Sequence, residues 1–146
     1  MLIGIPPLLS PDALHVLRSM GHGDEIALVD GNYPALEHSR RLVRADGLGL
    51  VEVLAAILAV LPLDRAVPEA VFRTGLNNDP GQTGPIHDEI DAVCARLAPG
   101  FAVIPVVGAD FYPRVQKAFC VVATGERRLF ANVILRKGVI HPDGGT

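Results

Sequence analysis

Apolar and polar positions along the chain separate into segments of helical and of strand period. Ser10-Pro11-Asp12 starts a helix, with a hydroxyl to cap it and proline at its first position. Leu14, Val16, Leu17 and Met20 then supply its apolar face, and Gly21 stops it. Ile26-Ala27-Leu28-Val29, bounded by Asp24-Glu25 and Asp30-Gly31, reads as a buried strand. From Leu50 to Leu61 the chain is apolar nearly all round, with Glu52 its one charge, so that helix must be covered on more than one side. Ala70 to Thr74 is a strand, and a Gly/Asn/Asp/Pro-rich loop runs from Gly75 to Pro85. Ile86 to Leu97 places Ile90, Val93, Cys94 and Leu97 in helical register. Phe101 to Val107 is a strand interrupted by Pro105, which marks an edge or a bulge. Phe111 to Ala118 is a helix, with Asp110 placed to cap it and Pro113 in its first turn. Phe119 to Ala123 and Asn132 to Leu135 are the last two strands, joined through Thr124 to Arg128. Helices and strands alternate, so the fold class is α/β: a layered sheet with helices on its faces. The order of elements follows from this pattern; the strand directions do not.

Composition narrows the picture. A chain of 146 residues suits one domain, 1–146. At that size about 70% of the extended surface is buried, enough for a core without staples. Gly 15 and Pro 12 argue against a plain helical bundle. The core is aliphatic, since hydrophobic residues make up 49% and aromatics only 5%. A mean hydropathy of +0.35 implies that much of the chain is doubly buried or covered by other copies.

The net charge of −3 removes the electrostatic basis for binding nucleic acid or an anionic membrane. Arg40, Arg41 and Arg44, and the pair Arg127-Arg128, read as solvated, salt-bridged surface. The N-terminal stretch has no basic region of the signal-peptide type. The longest apolar run, Val53 to Leu63, spans 11 residues and contains Pro62, where a membrane span needs about 20. A soluble, cytoplasmic protein is expected. Cys94 and Cys120 lie in buried segments and read as small core residues.

Of the five histidines, His15, His22, His38, His87 and His141, one is set apart. His22 lies in Gly21-His22-Gly23-Asp24-Glu25, where flanking glycines let the backbone approach a ligand and leave the imidazole accessible. Asp30 stands at the carboxyl end of the strand that follows, the side where α/β folds place ligands. The two could serve as acid and base. Spacing alone leaves turn-stabilising and capping roles open to His22.

Several motifs then point to one family. Ile5-Pro6-Pro7-Leu8-Leu9-Ser10-Pro11, Met20-Gly21-His22-Gly23-Asp24-Glu25 and Asp30 resemble the RbsD/FucU family of L-fucose mutarotases and D-ribose pyranases. Arg44-Ala45-Asp46-Gly47-Leu48, Phe111 to Phe119, Thr124 to Arg127 and Asn132 to Val139 resemble its fucose mutarotase branch. The resemblance covers nearly the whole chain in order. It implies interconversion of the α and β anomers of a reducing sugar without cofactor or metal: one group protonates the ring oxygen and another takes the proton of the anomeric hydroxyl. It implies His22 as the catalytic acid–base and Asp30 as a sugar-binding carboxylate. It also implies a Tyr-x-Asn element at Phe130-Ala131-Asn132, a further sugar contact at Gly108, and a ring-shaped homo-oligomer, often a decamer, with sites completed near subunit interfaces.

Two positions depart from the family pattern. Phe130 stands where tyrosine is common. Gly108 stands where fucose mutarotases tend to carry arginine and ribose pyranases histidine; Asp110 or Arg114 is expected to fill the vacated space. Two other readings compete with the mutarotase: a non-catalytic sugar-binding protein on the same scaffold, and a metal enzyme using His22, Asp24 and Asp30. The second has the wrong ligand types, with one histidine among carboxylates and no phosphate loop.

Overall fold

The computed structural model describes residues 1–143. Its centre is a six-stranded sheet in the order β2-β5-β1-β6-β3-β4, built from β1 (Glu25–Val29), β2 (Leu42–Ala45), β3 (Val71–Thr74), β4 (Val103–Val106), β5 (Cys120–Thr124) and β6 (Val133–Arg136). The pairs β1–β5, β2–β5 and β3–β4 are parallel. Strand β6 lies antiparallel between β1 and β3. Five strands therefore point one way and β6 points back.

Side chains alternate across this sheet into two cores. One face carries Ile26, Leu28, Val71, Val122, Val133 and Leu135 against α1 (Pro11–Ser19), α3 (Leu50–Leu58) and α4 (Pro85–Leu97). The other carries Ala27, Val29, Phe72, Val121 and Ile134 against α2 (Ala35–His38) and α5 (Gly108–Lys117). The period-2 segregation puts a helix layer on both faces and makes the central strands β1, β5 and β6 largely apolar.

Most local expectations hold. The Ser10 hydroxyl accepts from the Ala13 N–H at 3.2 Å and caps α1. Helix α3 ends at Leu58, earlier than Leu61, and is covered within its own chain by α4 and the sheet. Pro105 sits in β4, an edge strand, where its missing N–H costs no ladder bond. Cys94 and Cys120 are buried and free.

One expectation is corrected, and two features go beyond what the pattern showed. Helix α5 begins at Gly108 with Val107 as its cap residue, so Asp110 lies inside the first turn and Pro113 lies inside the helix. A carboxylate there still faces the positive end of the helix dipole. Residues 35–45 hold a short helix and edge strand β2 that the arginine-rich sequence conceals. The last two strands are not neighbours, because β1 lies between β5 and β6.

The loop from β5 to β6 is pinned at several points. Thr124 Oγ1 donates to Val29 O at 2.8 Å, and Gly31 N–H donates to Glu126 O at 2.8 Å. The Glu126 carboxylate accepts from the Arg128 guanidinium and backbone N–H, and from Leu50 N–H at the start of α3. Arg128 also bonds Glu89 on α4. Arg128 holds the Glu126 carboxyl at about 2, against the ordinary 4.5. An unfolded Glu126 takes up its proton at higher pH than the folded one. Its contribution to stability is therefore complete above about pH 4.5 and fades as pH falls toward 2. Urea denaturation across that window should show a shallower loss of stability for Glu126→Gln than for wild type; parallel curves would exclude this carboxylate as a source of acid lability.

Candidate active site at the carboxyl ends of the strands

The parallel strands and the reversed β6 bring chain segments distant in sequence to one end of the sheet. Asp30 follows β1, Thr74 ends β3, Gly108 opens α5 after β4, and Phe130-Ala131-Asn132 leads into β6. Around them lies a cavity of about 140 Å³ lined by Asp30, Tyr33, Thr74, Asn78, Gly108, Tyr112, Phe130 and Asn132, among others. A wider recess of about 590 Å³ adjoins it, sharing Asp30 and Tyr33 and extending over Leu36, Arg44 and Asp46.

Asp30 is buried at 5% exposure. Its Oδ1 accepts from Asn32 N–H at 2.9 Å and its Oδ2 from Ala131 N–H at 3.3 Å. Burial raises the carboxyl above the usual aspartate range, and these donors, with the Asn132 side chain, only partly offset it. Each oxygen keeps acceptor capacity for a ligand hydroxyl. Asn132 Oδ1 accepts from Asp30 N–H at 3.0 Å, so its Nδ2 group is the half of the amide left to donate. An acceptor carboxylate beside an amide donor suits the vicinal hydroxyls of a sugar.

The turn before Asn132 is held in an unusual conformation. Phe130 has φ of 60°, a region that favours glycine. Its carbonyl accepts from Thr74 Oγ1 at 2.6 Å and bonds His87 Nε2 at 3.0 Å. His87 is fully buried, and its Nδ1 accepts from Gly84 N–H at 3.0 Å, which leaves Nε2 as the protonated nitrogen. Two donors from separate elements thus fix the Phe130 peptide and, through it, the Ala131 N–H that faces Asp30. The sequence marked His87 only as a helix residue near charges; nothing in its spacing announced this role.

Gly108 also has a structural account. A Cβ there would meet the Asn78 side chain at 2.6 Å, so Asn78 occupies the space that a larger residue at 108 would need. Asp110 is exposed, and Arg114 is held by Glu25 at 2.9 and 2.6 Å near the start of β1. Contrary to the expectation from sequence, neither Asp110 nor Arg114 fills the vacated place; Asn78 does.

His22 lies at the opposite end of β1. The five residues of that strand, at about 3.3 Å each, put about 16 Å of sheet between the His22 loop and Asp30. Its Nε2 bonds Asp64 Oδ2 at 3.1 Å, and the same oxygen accepts from Arg136 Nε at 2.9 Å. Asp64 is buried, with Oδ1 accepting from Ala66 N–H at 3.0 Å. Burial pushes its carboxyl up, but Arg136, Ala66 N–H and His22 together bring it below the usual range. An ionised Asp64 selects the Nε2–H tautomer, so His22 presents Nδ1 as its free nitrogen on a half-exposed ring. Gly23, with φ of 84°, lets the loop cross Arg136, whose guanidinium would stand 3.0 Å from a Cβ at that position. Nothing in the residue pattern marks Asp64, which is remote along the chain. Among the described residues, no group of three His, Cys, Asp or Glu side chains is placed to hold a metal ion, and Asp24 is turned to Gly21 N–H. The grouping of His22, Asp24 and Asp30 does not form.

Comparison with known proteins agrees with this architecture. The chain is 43% identical to human fucose mutarotase over 143 residues, covering 94% of this chain and 93% of that one. The crystal structure of the fucose mutarotase from Streptococcus pneumoniae in complex with L-fucose superposes with a TM-score of 0.83 at 38% identity, over 96% of this chain and 100% of that one. FucU from Bifidobacterium longum gives 0.81 at 36%, over 94% and 99%. The model of the RbsD / FucU transport protein family matches residues 3–140, and the chain belongs to that family.

Proposed function

We propose that this protein is a monosaccharide mutarotase, interconverting the α and β anomers of a fucose-like sugar by proton transfer. One observation carries the reading: a monosaccharide-scale cavity with Asp30 and Asn132 side by side, in a chain 43% identical to a fucose mutarotase. Asp30 accepts sugar hydroxyls and Asn132 donates to them. Ala131 acts through Asp30, and Phe130 and Gly108 shape the wall. His22 is the acid–base group, exchanging a proton through Nδ1 while Asp64 holds Nε2–H. No cofactor enters this chemistry.

Within one chain His22 cannot reach Asp30, so each site takes its His22 from an adjoining copy. A closed ring, a decamer in the family pattern, supplies that arrangement. Exposed apolar residues fit such contacts: Leu36 at 78% and Leu129 at 57% flank the cavity, and Ile3 and Ile140 lie bare near the termini. The single α/β domain works in the cytoplasm, where the buried thiols of Cys94 and Cys120 stay reduced. It acts on sugars rather than on nucleic acid or membranes.

Saturation-transfer NMR on the anomeric protons of L-fucose tests this. Wild type should exchange the signals, and His22→Ala should slow exchange by about 10²–10⁴-fold. Asp30→Asn should weaken sugar binding, because an acceptor-only carboxylate becomes an amide. Binding without exchange by wild type would instead make the chain a sugar-binding protein on the same scaffold. Co-expressed His22→Ala and Asp30→Asn subunits, mixed equally, should recover activity in about a quarter of all sites, those where the intact Asp30 of one subunit meets the intact His22 of the next. No recovery in a mixed oligomer would show that the two residues do not share a site. In Asp64→Asn, ¹⁵N NMR should find the His22 tautomers mixed, with exchange slowed about tenfold or more; an unchanged tautomer would deny Asp64 its orienting role.

A further inference from the structure

Anomer exchange moves two protons, one at the ring oxygen and one at the anomeric hydroxyl. His22 of an adjoining copy accounts for one. On the Asp30 side of the cavity few groups can handle the other. The Thr74 hydroxyl proton is committed to Phe130 O at 2.6 Å. Phe130 has no hydroxyl, the amides of Asn78 and Asn132 do not titrate, and the Asp30 oxygens, each already holding a backbone N–H, are given to accepting sugar hydroxyls. The phenols of Tyr33 and Tyr112 remain, and Tyr33 has an imidazole against its hydroxyl, with Oη 2.9 Å from His38 Nδ1.

We propose that Tyr33 and His38 form a proton relay on the wall of the Asp30 cavity, Tyr33 meeting the anomeric hydroxyl and His38 taking up and returning the proton behind it. The assignment rests on the anomer-exchange reading of this cavity. Tyr33 is tied to Asp30 by a tight turn, its N–H donating to Asp30 O at 3.2 Å. Pro34 leads into α2, whose last residue is His38. The Tyr33 ring stacks on Tyr112 at 5.4 Å and 23°, and His38 packs edge-on to both rings at 5.4 and 5.7 Å. The pair is therefore held in one geometry.

The relay balances. In ring opening the O1–H bond breaks, its electrons form C1=O, and the proton passes to Tyr33 Oη. The proton already on Oη moves to His38 Nδ1. The C1–O5 bond breaks with its electron pair going to O5, which takes a proton from His22 of the adjoining copy. Closure on the other face reverses each transfer, and nothing is consumed. Burial, with Tyr112 and the Asp30 carboxylate adding to it, pushes the Tyr33 phenol above its ordinary range. A free phenolate is thereby disfavoured, which is why the hydroxyl needs an imidazole to receive its proton as it accepts another.

Steady-state exchange on L-fucose separates the outcomes. Tyr33→Phe keeps the ring stack and should lower kcat by about 10²-fold or more, with KM within about threefold of wild type. His38→Gln should lower kcat by about tenfold or more, again with KM little changed. A Tyr33→Phe or His38→Gln protein with kcat within about threefold of wild type overturns the relay and leaves the mutarotase reading intact. So does a loss confined to KM, which would make Tyr33 a sugar contact only. A wild-type chain that exchanges no sugar overturns both.

Discussion

Strand β6 runs against its neighbours, and the functional geometry depends on that one reversal. Paired with β1 so that Leu28 faces Val133 and Glu25 faces Arg136, it is joined to both ends of the sheet at once. Its entry delivers Asn132 to the carboxyl end of β1, where Asp30 waits. Its exit delivers Arg136 to the amino end, where Asp64 and the His22 loop are assembled. Had β6 run parallel, Asn132 and Arg136 would exchange ends and neither cluster would exist.

The two clusters differ in electrostatic design. Asp30 is buried with neutral donors, so burial wins and its carboxyl is raised. Asp64 is buried with a guanidinium and an imidazole, so its charged form wins. The first arrangement leaves a carboxylate that gains from another hydrogen-bond donor, as a ligand-binding group should. The second leaves a fixed anion that orients an imidazole. Two aspartates of similar burial thus serve different ends because their partners differ in charge.

Positioning also depends on strain that is locally opposed. A phenylalanine at φ of 60° is costly, and its carbonyl is gripped by Thr74 and His87 from different elements. Asn78, also at positive φ, places its amide where a side chain at 108 would otherwise stand. These contacts join the ends of β3, α4 and the loop before β6 into one wall. Such a wall has the rigidity that recognition of a small polar ligand requires.

Much of the fold was legible from period and punctuation. Ser10-Pro11 marked α1, the nearly all-apolar stretch from Leu50 marked a helix covered on more than one side, and Pro105 marked an edge or a bulge, because each follows from local chemistry. The pattern failed at β2 and at the start of α5: an edge strand carries charge on its open side, and α5 begins at a glycine that local rules would assign to a loop. At the site, Asp30 and Asn132 could be named from their motifs, but their contact spans 102 positions and exists only through the β1–β6 pairing. Asp64, Asn78 and His87 carry no local signature, since what defines each is a partner brought in from another element. The separation of His22 from Asp30 is likewise a property of the strand between them. Residue types and local order were set by the sequence; which groups meet within the chain, and which are held apart, was decided by strand direction and the length of β1.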